Sequence, residues 1–586
     1  TRLYFAADKL FRSDDRGDTW KEVSGVLHRP IERNALPVMG KVWPPDAVAK
    51  NASTSVYGNC TTISESPLKE GLIFVGVDDG IIQVTQDGGT TWKMLEGFPG
   101  VPDTIYTSRV LASQHDVNTV YAAFDNHRNE DFAPYIVKSV DGGASWISIK
   151  GDLPENGPVL AIAEDYKDPS LLFVGTEFGI FFTKDGGKKW IQLKGGLPTI
   201  AVRDIAVQKR EGDLVIATFG RGFYVLDNYE PLRSVNADSL AKEASIFPVK
   251  DAKLFIHANP LGGGKKGAQG ESFYGAANPP LGATFTYYMK DSYKSLKEKR
   301  HDAEAEAIKN KSKMPYATKE QLHAEDEEEA PAVFFIVSDA SGRVVRHVPA
   351  GNSGGVARAT WNLHYPNVTL SGGGGDGDDD GENDGGALAL PGKYQVALYK
   401  RIGGVTSMIA GPQWFNVKML DSGATLQQDF ASLQEFQQKA GRLLREVAGA
   451  LETSRDVKSR LTSIRSALRE TPANTDSLVN VVAKIERRVS ALELALTGDN
   501  VLRGRNEAVP PSINDRIHKA LDDGSSSLAK PTQTSVEAYR LASADFKDIV
   551  KELKSVITID LADLDRSLEA IGAPWTPGRL PDWDGE

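Results

Sequence analysis

An eight-residue signature, with Ser or Thr first, Asp third, Gly fifth, Ser or Thr seventh and Trp eighth, occurs four times in the first 190 residues. It reads Ser13-x-Asp15-x-Gly17-x-Thr19-Trp20, Thr85-x-Asp87-x-Gly89-x-Thr91-Trp92, Ser139-x-Asp141-x-Gly143-x-Ser145-Trp146 and Thr183-x-Asp185-x-Gly187-x-Lys189-Trp190, with Lys189 the one departure. The last three copies lie 54 and 44 residues apart, counted from Asp87 to Asp141 and from Asp141 to Asp185. A period of that size, with each copy placed alike relative to flanking β runs, implies repeated supersecondary units stacked side by side. The repeat constrains the architecture strongly and the chemistry hardly at all.

The second unit shows how each repeat is built. Leu72-Ile73-Phe74-Val75-Gly76 is a β-branched and aromatic run, Asp78-Asp79-Gly80 a tight turn, and Ile81-Ile82-Gln83-Val84 a second run. The signature then turns the chain into Thr91-Trp92-Lys93-Met94-Leu95. Its Asp carboxylate can accept hydrogen bonds from backbone N–H groups of its own turn, Gly permits φ above zero, and Trp offers a large apolar face to neighbouring units. Asp15, Asp87, Asp141 and Asp185, with Trp20, Trp92, Trp146 and Trp190, are therefore structural residues and not catalytic ones.

An inner strand before each unit, such as Cys60-Thr61-Thr62-Ile63-Ser64 or Pro158-Val159-Leu160-Ala161-Ile162, completes a four-stranded antiparallel sheet, one blade of a β-propeller. A fifth unit, Asp213 to Asp227, has the strands without the signature. Residues 1–235 thus predict a partial propeller of about five blades. Leu27 to Tyr57, rich in Pro, Asn and Ala, reads as a long loop between blades, and such loops on rigid scaffolds often carry function. Thr1 falls inside a blade, at its second strand, which predicts a fragment, a processed product, or a propeller completed by another polypeptide.

At 586 residues, 40% hydrophobic and 25% charged, the chain has ample core for several domains. No apolar run reaches the roughly 18 to 20 residues needed to span a bilayer. A net charge of −11 disfavours nucleic acid as a partner, and the single cysteine, Cys60, forms no intrachain disulfide. From 244 to 419 the short strands Thr284 to Met289, Val333 to Val337, Val344 to Val348 and Tyr394 to Tyr399 predict an immunoglobulin-like β-sandwich. Ser338-Asp339-Ala340-Ser341-Gly342 joins two of them as a hairpin.

Two stretches interrupt that pattern, a Lys/Glu/Ala-rich insertion over 290–330, helical or mobile, and a Gly/Asp tract over 371–386. Asp376, Asp378 and Asp380 in the tract are hard oxygen ligands of the kind calcium prefers. The spacing of a calcium loop is incomplete, and like-charged Gly-rich runs are usually solvated, so neither a metal nor a cofactor is expected. Residues 425–571 predict a helical bundle, since Val457, Leu461, Ile464 and Leu468, then Leu478, Val482, Ile485, Val489, Leu492 and Leu496, recur at steps of three and four. A later segment carries Val536, Tyr539, Phe546, Ile549, Leu553 and Val556. Pro472, Pro510-Pro511 and Pro531 separate the helices, and 572–586 form a C-terminal tail. The bundle is either a self-contained fold or a docking surface for another chain.

In a propeller the turn between the second and third strands lies opposite the signature turns, together with the start of each inner strand. That rule gathers Asp78 and Asp79, then Asp125, Asn126, His127 and Arg128, then Glu177 and Phe178, then Arg221, around one opening. Tyr106, Arg109, Arg203 and Asp204 join them from the inner strands. Arg109, Arg128 and Arg221 can hold a carboxylate or sulfate by bidentate hydrogen bonds while Tyr106 or Phe178 stacks on a sugar or peptide group. Alternatively, Glu177 with Asp78 or Asp79 acts as general acid and base on a glycosidic bond, which needs carboxyl groups about 5 to 10 Å apart. In a third reading these charges simply pair with one another between blades. His127 is the one histidine on this rim, and a solitary histidine makes a poor metal site.

The four signatures are Asp-boxes, and this part of the chain resembles the Asp-box, or bacterial neuraminidase repeat (BNR), superfamily that includes sortilin-type propellers, sialidases and xyloglucanases. More broadly, the chain is similar to the C-terminal part of large bacterial exported proteins described as sortilin-like or BNR-repeat glycosyl hydrolases. The residues that carry this are Leu36 to Gly40, Ser64 to Leu68, Ser108-Arg109-Val110, Phe124 to Arg128, Gly175-Thr176-Glu177, Gly220-Arg221-Gly222 and Gly572 to Arg579. The resemblance implies a propeller fold and a secreted, periplasmic or cell-surface location, and implies activity much less. Sortilin-type propellers are followed by cysteine-rich modules, whereas this chain has one cysteine. The sialidase arginine triad with its Tyr/Glu pair does not map onto this sequence, and xyloglucanases set catalytic aspartates between two propellers where at most one is present here. The expectation is an exported protein that binds a glycan or peptide, or scaffolds a cell-envelope assembly through its bundle or missing blades. Glycoside hydrolysis by the rim carboxylates is the alternative.

Overall fold

The computed structural model describes residues 2–48, 50, 57–255, 275–367, 386–420, 426–522 and 529–581. They form two compact units, Thr1–Ala241 and Lys242–Glu586. Asp376, Asp378 and Asp380 lie outside the described residues.

The first unit is a succession of five small antiparallel sheets, each made of strands that pair in sequence order. They are β1 (Leu3–Ala6), β2 (Leu10–Ser13) and β3 (Lys21–Glu22); then, after the short hairpin β4 (Pro37–Val38) and β5 (Lys41–Val42), β6 (Cys60–Glu65), β7 (Ile73–Val77), β8 (Ile82–Thr85) and β9 (Lys93–Leu95). The third sheet holds β10 (Tyr106–Ala112), β11 (Val120–Asp125), β12 (Tyr135–Ser139) and β13 (Ile147–Ser148). The fourth holds β14 (Val159–Glu164), β15 (Leu172–Thr176), β16 (Gly179–Thr183) and β17 (Ile191–Leu193), and the fifth β18 (Val202–Gln208), β19 (Asp213–Thr218) and β20 (Phe223–Leu226), with helix α1 (Ala237–Ala241) at the end of the unit. These are propeller blades, and the repeat period in the sequence is the period of the sheets.

The second strands of the middle sheets are buried at every residue, as in β7, β11 and β15, because sheets cover both of their faces and the usual alternation is lost. Neighbouring blades approach closely where a side chain is missing. A Cβ at Gly76 would stand 2.5 Å from Thr107 Cγ2, and one at Gly175 would stand 2.6 Å from the Val202 carbonyl oxygen. The first strands of the second to fifth sheets, β6, β10, β14 and β18, each carry a bulge near their first residues, at Cys60/Thr62, Thr107/Arg109, Val159/Ala161 and Val202/Asp204. The bulged Thr61 and Ser108 donate their hydroxyls to the carbonyl oxygens of Thr107 and Val159 on the next inner strand, both at 2.6 Å. A bulge re-aims a side chain out of the pleat, and here that lacing ties one end of successive inner strands together.

The signature turns behave as their residues require. Asp15, Asp87 and Asp141 each accept the backbone N–H of the seventh residue at 2.8 to 2.9 Å and its hydroxyl at 2.5 to 2.6 Å. These bonds hold the Asp15 and Asp87 carboxyls far below the ordinary range, and Asp141 at about 2, chiefly through the Thr19, Thr91 and Ser145 hydroxyls. Lys189 has no hydroxyl to give, and Asp185 accepts the Lys188 and Lys189 N–H groups instead, each at 3.0 Å. Two of the tryptophans reach the preceding sheet: Trp92 Nε1 donates to Val23 O at 3.1 Å and Trp190 Nε1 to Ile149 O at 3.0 Å. Trp190 is buried, whereas Trp20 is 45% exposed.

In the second unit, β21 (Ala244–Ile246), β22 (Ala252–Leu254) and β23 (Ala283–Met289) precede helices α2 (Leu296–Lys309) and α3 (Lys319–Glu327). Strands β24 (Ala332–Asp339), β25 (Val344–Ala350), β26 (Gly355–Trp361), β27 (Gly392–Ile402) and β28 (Val405–Met419) follow. Two sheets result, ordered β21-β23-β26 and β22-β28-β27-β24-β25, with β22 parallel to β28. They share one core in which Phe285 lies 5.1 Å from Phe335 and 5.6 Å from Phe415, centroid to centroid. The hairpin expected around Ser338 to Gly342 is present as β24 and β25. In the 290–330 insertion α2 and α3 each begin with a capping box, and Arg300 clasps Glu325 bidentately at 2.7 and 2.9 Å.

The C-terminal region is helical: α4 (Leu426–Glu470), α5 (Asp476–Thr497), α6 (Asn500–Arg503), α7 (Ile513–Asp522), α8 (Gln533–Ser555) and α9 (Ala562–Ala570), with a π-helical turn over Val556–Leu561. Val457, Leu461, Ile464 and Leu468 of α4 meet Val482, Ile485 and Val489 of α5 and Leu564 and Leu568 of α9 in one buried cluster. Val536, on the expected apolar stripe of α8, is 40% exposed. No helix among the described residues is long and apolar enough to cross a membrane.

Candidate functional site

At the bulged ends of the inner strands the structure joins two pairs of the expected rim residues, Arg109 with Asp204 and Arg203 with Glu177. Arg109, just after the bulge of β10, donates from Nη2 to Asp204 Oδ1 at 2.5 Å, and Asp204 stands just after the bulge of β18. The two residues belong to the third and fifth sheets, so the pair passes across the fourth. Successive inner strands therefore converge at this end, and the tips of the fourth and fifth blades come with them. Arg203, the bulged residue itself, has Nη2 3.8 Å from Glu177 Oε2, and its guanidinium carbon lies 5.2 Å from the centre of the Phe219 ring.

On the third blade, Arg128 lies over the Tyr106 ring at 5.1 Å. Asp125 is buried and accepts both the backbone N–H of His127, at 3.0 Å, and its ring Nδ1, at 2.6 Å. A carboxylate is an acceptor, so Nδ1 carries the proton shared with Asp125. Arg221 is exposed in the turn between β19 and β20, flanked by Gly220 and Gly222 with φ of 84° and 70°, and Phe178 is 46% exposed at the tip of the fourth blade.

Asp78 and Asp79 serve a different purpose. Asp78 accepts the backbone N–H of Gly58 at 2.8 Å and of Asn59 at 3.0 Å, and the Asn59 amide at 3.2 Å. Asp79 is fully buried and accepts the N–H of Arg29 at 2.6 Å and of Ile81 at 3.3 Å. Together they fasten the chain entering the second blade. Proton exchange with a substrate needs a carboxyl that substrate can reach. Of the three carboxylates expected for acid–base chemistry, only Glu177 is appreciably exposed, its side chain to 40%.

Some of the neighbourhood was not anticipated from sequence. Phe219, 69% exposed and beneath Arg203, sits beside the Gly-Arg-Gly turn, and an aromatic next to a glycine-rich hairpin tip was the signal for it. A cavity of about 280 Å³ is lined by Gly179, Gln192, Leu193, Lys194, Leu197, Pro198 and Thr199, and Gln192 Nε2 also donates to the carbonyl oxygen of Phe178 at 3.3 Å. Among the described residues no group of three or more His, Cys, Asp or Glu is placed to hold a metal ion.

No protein-family model and no curated protein matches the chain. Among solved structures, an ancestral GH74 enzyme is similar over 50% of this chain and 35% of its own, at 13% identity and a TM-score of 0.28. The GH74 xyloglucanase from Xanthomonas campestris is similar over 39% and 34%, at 11% identity and a TM-score of 0.27. YCF48 bound to D1 peptide is similar over 38% and 59%, at 14% identity and a TM-score of 0.26. This chain spans about a third of the length of the two GH74 proteins. At these TM-scores the likeness carries no argument, and the blades stand on their own strand pairing.

Proposed function

We propose that the bladed unit is a binding module that takes an acidic glycan at its arginine-lined opening and leaves it uncleaved. The observation that carries this reading is the state of the carboxylates. Asp78 and Asp79 are spent on backbone donors, Asp125 on His127, and Asp204 on Arg109, while Arg128, Arg203, Arg221 and Phe178 stay exposed. Guanidinium groups bind a carboxylate or sulfate through paired charge-assisted hydrogen bonds, each worth about 1.5 to 3 kcal/mol when water is excluded. The Phe219 ring, 69% exposed beneath Arg203, offers an aromatic face of the kind that suits a sugar ring.

In this reading the unit is an Asp-box, sortilin-like (BNR) propeller in a secreted, periplasmic or cell-surface protein organised as 1–235, 244–419 and 425–571. The two sheets that share a core form an immunoglobulin-like sandwich, and the helical region is the contact surface toward an envelope partner. Hydrolysis by Glu177 is the second reading, favoured by its 40% side-chain exposure. Calorimetric titration with trigalacturonate, beside a reducing-end assay on the same mixture, separates the two. Binding with no new reducing ends is expected. Release of reducing ends that E177Q abolishes would overturn the proposal in favour of hydrolysis.

A further inference from the structure

Resting on that binding reading, the Arg109–Asp204 pair has a more specific meaning. Arg109 is poorly satisfied for a guanidinium. It carries five N–H donors, yet among the described residues it makes one side-chain hydrogen bond, from Nη2, and its Nε is buried without a partner. Asp204 meets it with a single oxygen, Oδ1, which also accepts the N–H of its neighbour Ile205 at 2.9 Å. The aspartate side chain is 60% exposed, against 30% for the arginine. The arginine is thus the more enclosed partner, and the aspartate stands largely in water. A structural ion pair of this length would be expected to use the fork of the guanidinium; this one leaves most of the fork unused.

We infer that Asp204 is a place-holder for the ligand: its carboxylate occupies the Arg109 guanidinium until the carboxylate of an acidic sugar displaces it. The incoming group brings two oxygens where Asp204 supplies one, so it can bridge two guanidinium nitrogens. Exposure makes the displacement cheap, because a freed Asp204 is hydrated at once. Arg203, the residue beside Asp204, is itself 3.8 Å from Glu177, longer than a hydrogen bond, and can turn to the same anion. Asp204 therefore sets a threshold: ligands without a carboxylate meet a neutralised arginine, and only an anion competes for it.

The test measures affinity for trigalacturonate, for its methyl ester, and for triglutamate, with wild type, D204N, D204A and R109Q, after circular dichroism shows that each variant is folded. Removing Asp204 should tighten trigalacturonate binding about two- to tenfold, the release of an exposed ion pair together with the loss of a like charge beside the ligand. The methyl ester should be unaffected, and R109Q should lose the preference for the acid over the ester. Equal or weaker binding by both Asp204 variants, with wild type still binding, would overturn the place-holder and leave the binding reading standing. No binding of trigalacturonate by any form would overturn both. Binding of triglutamate in its place would overturn the sugar as ligand.

Discussion

Replacing Arg233 with methionine tests how the last blade is held to its neighbour. The Glu230–Ser234 turn brings Arg233 onto Asp165, whose side chain is 0% exposed, against 14% for the arginine. Asp165 accepts from Arg233 Nε and Nη2 at 2.9 and 2.7 Å, from the Tyr229 hydroxyl at 2.5 Å, and from the N–H groups of Lys167 and Asp168 at 2.9 and 2.7 Å. Arg233 also lies over the rings of Tyr166 and Tyr229 at 4.8 and 5.3 Å. Breaking a buried pair by removing one partner costs about 3 to 5 kcal/mol. Three donors remain on the aspartate, so the lower end applies, and about 3 kcal/mol is expected.

Hydrogen exchange is the right assay, because a chain of two compact units does not unfold in one step and amides report local opening. About 3 kcal/mol corresponds to roughly a hundredfold faster exchange in β18 to β20. D165N should behave alike, and the double variant should be far less than additive. Burial pushes the Asp165 carboxyl up, but the bonds from Arg233 and Tyr229 outweigh it and the net direction is down. A depressed carboxyl stabilises the fold above the unfolded value near about pH 4, and the contribution is lost as pH falls toward the folded value. A change below about 0.5 kcal/mol, or strict additivity, would refute the reasoning, since it would place these two groups in water.

Further perturbations read other parts of the first unit. G175A should cost about 1 to 3 kcal/mol, because its Cβ would stand 2.6 Å from a backbone oxygen that cannot give way; melting measurements should show G142A to be milder, as nothing lies within 4 Å there and only the positive φ of 72° opposes it. S145A should raise the Asp141 carboxyl from about 2 toward its ordinary value in a carboxyl-carbon NMR titration, because the Ser145 hydroxyl is the largest cause of the depression. Wild-type stability from the signature turns should persist down to about pH 4 and fade below it, since their folded values lie under the unfolded one. E177Q should leave the melting temperature nearly unchanged, within about 0.5 kcal/mol, because both members of that pair are more than a third exposed and 3.8 Å apart.

The blades were legible because their signals are local. Asp, Gly and a hydroxyl within eight residues dictate a turn by themselves, and the Asp15, Asp87 and Asp141 bonds follow the spacing residue for residue. The helical stripes were legible for the same reason, Val536 apart. What escaped is non-local. Asp78-Asp79-Gly80 reads as an acidic hairpin tip, but its carboxylates turn inward to the N–H groups of Gly58, Asn59 and Arg29, which lie 19 to 50 residues earlier in the chain. The four bulges have no composition of their own, yet they decide which way Thr61, Ser108 and Arg203 point. The partner of Arg109 stands 95 residues away, beyond the reach of any spacing rule.

An anionic ligand is expected to seat where the bulged inner strands converge. Hydrogen exchange of the whole chain with and without saturating trigalacturonate measures this directly. Protection is expected at the starts of β10 and β18 and at the tips carrying His127, Arg128, Glu177 and Phe178, with the signature turns on the opposite side unchanged. Protection centred on those turns, or on the helical region alone, would contradict it.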